Sequence, residues 1–133
     1  MPVITQKFIY RSDLQNNPEV KYLFGDNTLR KGRGGQAKEM RGEPNAIGVA
    51  TKRLPSQMEN SFFSDAEHVE NCRIILADLK PAFDHVRAGG VLVIPEDGLG
   101  TGLSELPTRA PMTNSYLESV LGMLRYEAAG APE

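Results

Sequence analysis

Five consecutive apolar residues, Val91-Leu92-Val93-Ile94-Pro95, leave no position suited to water. A strand of that kind is stable where both faces of its sheet are covered, which in practice means helices on either side. The run therefore predicts an α/β fold. With 133 residues the chain can build one hydrophobic core but not two ordinary domains. One domain over residues 1–127 is expected, with 128–133 as a frayed tail.

Three further segments read as strands. The stretch Val3-Ile4-Thr5-Gln6-Lys7-Phe8-Ile9-Tyr10 is rich in β-branched and aromatic residues and runs into a loop at Arg11-Ser12-Asp13. Lys21-Tyr22-Leu23-Phe24 is short and stopped by Gly25-Asp26-Asn27, and Ala46–Thr51 leads into Lys52-Arg53. Helix formers fill Gln36–Arg41 before Gly42. A capping pair, Ser64 with Glu67, precedes Val69, Cys72, Ile75, Leu79, Phe83 and Val86 at helical spacing, which places Cys72 in the core. Pro81 should kink or interrupt that helix, and Gly89-Gly90 should end it. A last helix, capped by Asn114 or Ser115, reaches about Glu127. The order predicts an α/β sandwich around a mixed central sheet.

Glycine-rich loops follow two of the strands. Gly32-Arg33-Gly34-Gly35-Gln36 and Gly98-Leu99-Gly100-Thr101-Gly102 lie beyond the second and fourth apolar runs. Glycine lets backbone N–H groups turn toward an anion with no Cβ in the way, although either loop alone is equally well a tight turn. Ligands of open α/β sheets bind at the carboxyl ends of strands, so two such loops can converge on one cleft and hold two phosphates. A helix opening at Gln36 would add its N-terminal N–H groups.

The charge pattern agrees. Net charge is −2, yet Arg30, Lys31, Arg33, Lys38, Arg41, Lys52 and Arg53 face only Glu39 and Glu43 between positions 30 and 53. An anionic ligand fits that segment, whereas the acidic balance overall argues against general nucleic-acid binding. Lys31–Ala37 lacks the lysine and hydroxyl of a P-loop, and no acid-ended strand follows as in a dinucleotide fold. No segment approaches the roughly 18 apolar residues of a membrane span. The N-terminus lacks a secretory pattern and Cys72 is the sole cysteine, so a reducing cytoplasm is expected. His68 and His85 share no ligand face, which predicts no metal site, and no cofactor is implied.

Taken together, Tyr10-Arg11-Ser12-Asp13-Leu14, Leu23–Ala37 and Val91–Leu103 resemble the motifs of a divergent macrodomain. That resemblance implies a three-layer α/β/α sandwich that binds ADP-ribose. Ala50-Thr51-Lys52-Arg53 is similar to the Pro-Thr-Lys segment of the subclass holding terminal ADP-ribose glycohydrolases and antitoxins that remove ADP-ribose from DNA bases. It implies a hydrolase acting on an ADP-ribosylated protein or nucleic acid, with Lys52 catalytic. Asp13 matches the acid that meets the adenine amino group, and Asn27 the asparagine that holds the distal ribose. Residues Gly32, Arg33, Gly34, Gly35 and Gln36, with Gly98, Leu99, Gly100, Thr101 and Gly102, match the phosphate loops. Ser12 stands where the family has glycine, and no acid follows the second loop cleanly, leaving Glu96, Asp97 and Glu105 as candidates. A non-catalytic binder of ADP-ribose or a related signalling nucleotide is the alternative.

Overall fold

The computed structural model describes residues 3–129. In chain order these form β1 (Val3–Gln6), α1 (Arg11–Asn16), β2 (Lys21–Asn27), α2 (Ala37–Met40), β3 (Ala46–Lys52), α3 (His68–Arg87), β4 (Leu92–Pro95), α4 (Leu106–Arg109) and α5 (Pro111–Ala129). Two short 3-10 turns, Glu59–Ser61 and Asp65–Glu67, precede α3. The strands form one sheet in the order β1-β4-β2-β3.

Every pairing in that sheet is parallel, which corrects the mixed sheet expected from sequence. The physical reason lies at residues 11–16, which read as loop but fold as α1. Parallel neighbours require a crossover rather than a hairpin, and α1, α2 and α3 each supply one between successive strands. Asp13 starts α1 by accepting the Tyr10 N–H at 2.8 Å, and Gln6 Nε2 donates to the same carboxylate oxygen at 2.9 Å. The first strand accordingly stops at Gln6, well short of Tyr10.

Side chains on the strands alternate between two apolar clusters. Leu23, Val49, Leu92 and Ile94 pack with Ile75 and Leu79 of α3 and Leu117 and Val120 of α5. Tyr22, Phe24 and Val93 pack with Ile9, Leu14, Ala37 and Met40. The central strand β4 is thus buried at every position, as its composition requires.

Other boundaries differ from the sequence pattern for local reasons. Strand β2 does not stop at Gly25, because Gly25, Asp26 and Asn27 continue the ladder opposite Val49, Ala50 and Lys52. Helix α3 runs through Pro81 without interruption; Pro81 and Ala77, whose carbonyl loses its donor, are both exposed, so water can satisfy that oxygen. Helix α5 begins at Pro111, ahead of Asn114, because the Asp65 carboxylate caps it from a distance by accepting the Met112 and Thr113 N–H groups. It continues past Glu127 to Ala129; of the expected tail, residues 130–133 lie outside the described residues. Cys72 is half-buried against His68 rather than a core residue.

The connection from α1 into β2 hangs on one buried amide. Asn45 Nδ2 donates to the carbonyls of Leu14, Asn17 and Val20 at 2.8–3.0 Å. Asn45→Ala leaves those oxygens short of a donor and is expected to lower unfolding free energy by about 1–3 kcal/mol, measured by denaturant titration with an unchanged m-value.

Candidate functional site

Because all strands are parallel, the segments after β2, β3 and β4 leave the sheet at the same edge. There they enclose a cleft with two adjoining compartments. The first, about 190 Å³, is walled by Asp26, Asn27, Lys31–Gly34, Arg41, Lys52, Ser56 and Gln57. The second, about 240 Å³, is walled by Lys7, Gly35, Gln36, Asp97, Gly98 and Gly100–Gly102. Gly25, Gly34, Leu103 and Ser104 border both. Neither compartment alone reaches the roughly 300 Å³ at which ordinary small-molecule sites begin, but the pair does.

The glycine loops present unpaired donors to this cleft. Among the described residues, the N–H groups of Gly32, Arg33, Gly34, Gly35 and Gln36 have no protein acceptor, and neither do those of Leu99–Ser104. Such runs of N–H groups form an anion-binding concavity. The glycines are required by conformation: Gly32, Gly35, Gly98 and Gly100 all have φ between 56° and 99°. Gly34 is required by approach, since a Cβ there would lie 2.7 Å from Leu103 Cδ1 unless that side chain shifted, whereas a Cβ on Gly25 would make only ordinary contact with the Gly100 nitrogen. Gln36 adds a carbonyl oxygen, Oε1, that is buried without a hydrogen-bond donor.

Arg41 sets the shape of the first loop. Its Nε donates to the Gly32 carbonyl at 2.7 Å and its Nη2 to the Lys31 carbonyl at 3.2 Å. The same Nη2 meets Asp26 Oδ1 at 2.5 Å. By drawing the loop carbonyls to itself, the guanidinium leaves the following N–H groups turned away from them. The Asp26 side chain is only 4% exposed, and a second cation, Arg30, lies 3.6 Å from its other oxygen. Arg30 in turn forms a forked pair with Asp78 at 2.8 and 2.9 Å, and Asp78 accepts the Ala50 N–H on β3.

Lys52 ends β3 inside the first compartment and is 6% exposed. Its Nζ donates to the Ser56 carbonyl at 2.7 Å, Gln57 Oε1 at 2.8 Å and the Leu103 carbonyl at 3.4 Å. It also lies 4.7 Å from the centre of the Phe62 ring, whose face attracts cations. Burial holds its pKa below the ordinary lysine value; Glu105 opposes that shift and Arg109 adds to it. Between the lowered value and the ordinary one the unfolded chain binds the proton more tightly, so this group's contribution to stability rises with pH through that window.

The structure gathers most of the residues singled out from sequence. Asn27, Lys52, Gly32, Arg33 and Gly34 meet in the first compartment, and Gly35, Gln36, Gly98, Gly100, Thr101 and Gly102 in the second. Asn27 is committed to its own loop, its Nδ2 donating to the Lys31 carbonyl at 2.7 Å. The Thr101 hydroxyl donates to the Asp97 carbonyl. Leu99 turns its side chain into the core. Asp13 is not brought to the cleft: its carboxylate caps α1, and that local bond decides its position. Of the candidate acids, Asp97 borders the second compartment, Glu105 acts on Lys52 through space while pairing with Arg109, and Glu96 is exposed outside both.

Two important residues, Asp26 and Arg41, escape the sequence pattern. Gly25-Asp26-Asn27 reads as a turn because glycine, aspartate and asparagine favour turns. The basic cluster between positions 30 and 53 was the available signal for a buried acid nearby. Away from the cleft, burial pushes the Cys72 thiol up, with Asp65 adding to the effect, which makes it a poor nucleophile. Among the described residues, no His, Cys, Asp and Glu side chains group so as to hold a metal ion. No helix among them is long and apolar enough to cross a membrane.

The chain belongs to DUF7831, a family of unknown function, whose model matches residues 4–120. That span includes both glycine loops and Lys52. No curated protein and no solved structure matches the chain.

Arg41→Ala removes the closest partner of a buried carboxylate while Arg30 remains nearby. Unfolding free energy is expected to fall by about 1–3 kcal/mol, less than for a fully unpaired buried charge. Arg41→Lys keeps the charge but cannot span Asp26 and Gly32 together, so it should recover only part of that loss in the same denaturant titration.

Proposed function

We propose that this DUF7831 protein binds ADP-ribose, free or attached to a macromolecule, and acts as an ADP-ribosyl glycohydrolase. The observation that carries the reading is the pair of unpaired N–H rows on the walls of adjoining compartments, one row for each phosphate of a diphosphate ligand. The diphosphate lies between Gly32–Gln36 and Gly98–Gly102. The distal ribose enters the first compartment, beside Asn27 and Lys52. A macrodomain-like three-layer α/β/α sandwich belongs to this proposal and is supported by the apolar clusters on both faces of the sheet. So does a place in the cytoplasm, where the single Cys72 stays reduced. The adenine contact of Asp13 is not used in it, since Asp13 lines neither compartment.

In the reaction, the bond from the anomeric carbon of the distal ribose to the macromolecule's heteroatom breaks, and a bond from that carbon to a water oxygen forms. The leaving heteroatom takes a proton and the water loses one. Lys52 is suited to give the proton. Its ammonium is held by three acceptors, and its lowered pKa makes it a stronger acid than an ordinary lysine. ADP-ribosylated DNA bases and protein side chains are both candidate substrates, and the basic first compartment suits either through its phosphates.

The same three acceptors favour a second reading. An ammonium already satisfied by Ser56, Gln57 and Leu103 can serve as a fixed positive charge that captures ADP-ribose without cleaving anything.

Calorimetry with ADP-ribose is expected to show binding, and its absence at millimolar ligand removes both readings. Incubation with ADP-ribosylated DNA and ADP-ribosylated protein then separates them. An enzyme releases ADP-ribose, falls by about a hundredfold or more in Lys52→Ala, and loses activity as pH rises through the lowered lysine pKa. Release that is unchanged in Lys52→Ala defeats the lysine mechanism.

A further inference from the structure

Leu103 stands in the middle of the cleft. It borders both compartments and is 56% exposed, which is unusual for a leucine set between two rows of polar backbone. Its side chain lies against the opposite loop: a Cβ on Gly34 would come within 2.7 Å of Leu103 Cδ1. Gly34 has no side chain where Leu103 crosses, and the exposed part of the leucine faces solvent. The leucine is thus seated across the cleft on one side and open to solvent on the other. Its backbone is anchored separately, through the carbonyl that accepts from Lys52 Nζ at 3.4 Å.

We propose that Leu103 is a displaceable partition that sets the length of ligand the cleft accepts. With the side chain against Gly34, the cleft is two short sites of about 190 and 240 Å³. A ligand that occupies only one of them leaves the leucine where it is. A ligand whose two ends occupy both has to push the side chain off Gly34 into solvent, where an exposed leucine turns on the picosecond to nanosecond scale. The inference rests on the proposal that one diphosphate ligand spans both compartments. It adds that the chain itself opposes that ligand at a single exposed residue.

Calorimetry on the full chain tests it with three probes: ADP-ribose, which spans the cleft, and AMP and ribose 5-phosphate, each half its length. Leu103→Ala is expected to bind ADP-ribose about fivefold more tightly than wild type, with the half-length ligands unchanged within about twofold. Leu103→Phe, a larger partition, should weaken ADP-ribose alone. Because the side chain is exposed, both variants should fold, which the thermal midpoint checks. Unchanged or weaker ADP-ribose binding in Leu103→Ala, or an equal gain for all three ligands, overturns the partition while leaving the cleft's ligand in place. If neither protein binds any of the three, the spanning ligand falls, and the partition with it.

Discussion

A carboxylate buried at the end of a strand has to be neutralised where it stands, and Asp26 is such a group. Its two oxygens face Arg41 on the cleft side and Arg30 on the side of α3. Each arginine then carries the constraint outward. Arg41 takes up the carbonyls of Lys31 and Gly32 and so decides which way the first glycine loop turns its N–H groups. Arg30 forks onto Asp78, which holds the Ala50 N–H two residues before Lys52. Burial of one charge therefore ties the first glycine loop, the end of β3 and α3 together. With Asp26 and Asp78 balanced by Arg41 and Arg30, the positive charge that an anionic ligand requires comes from Lys31, Arg33 and Lys52 on the wall of the first compartment.

Parallel topology does the rest. With β1, β4, β2 and β3 all pointing the same way, the segments after the last three emerge at one edge and have nowhere to go but beside each other. A single antiparallel strand among them would have sent one glycine loop to the opposite end of the sheet. The convergence of Gly34 on Leu103, and of Gly25 on Gly100, is a consequence of strand direction as much as of loop sequence.

How much of this was legible in the residues depended on range. The apolar strand Leu92–Pro95, the amphipathic helix carrying Ile75 and Leu79, and both glycine loops show themselves through local pattern, and the structure has them there. What stayed hidden is set by distant partners. Helix α1 is six residues long, too short for a periodicity to register, and its cap is the very Asp13 that the family resemblance assigned to adenine. The continuation of β2 through Gly25-Asp26-Asn27 exists because β3 pairs with it, and the start of α5 at Pro111 exists because Asp65 reaches across. Lys52 marks the boundary between the two cases. Its position at a strand end was readable, but its burial and its three acceptors depend on Ser56, Gln57 and Leu103 folding over it.

Those acceptors bear on what the cleft can do. An ammonium in water exchanges partners freely and titrates near the ordinary lysine value; this one is desolvated, held on two walls of the cleft and attracted to the face of Phe62. Desolvation favours loss of its proton, whereas the acceptors fix the direction in which the remaining N–H bonds point. A ligand that takes the place of the Gln57 or Leu103 oxygen would meet a donor already oriented and already inclined to give its proton away. A surface lysine offers neither property. The chemistry of the site thus turns on a competition between the protein's own oxygens and the ligand's for one nitrogen, and the two loops that supply those oxygens are the ones that border the cleft.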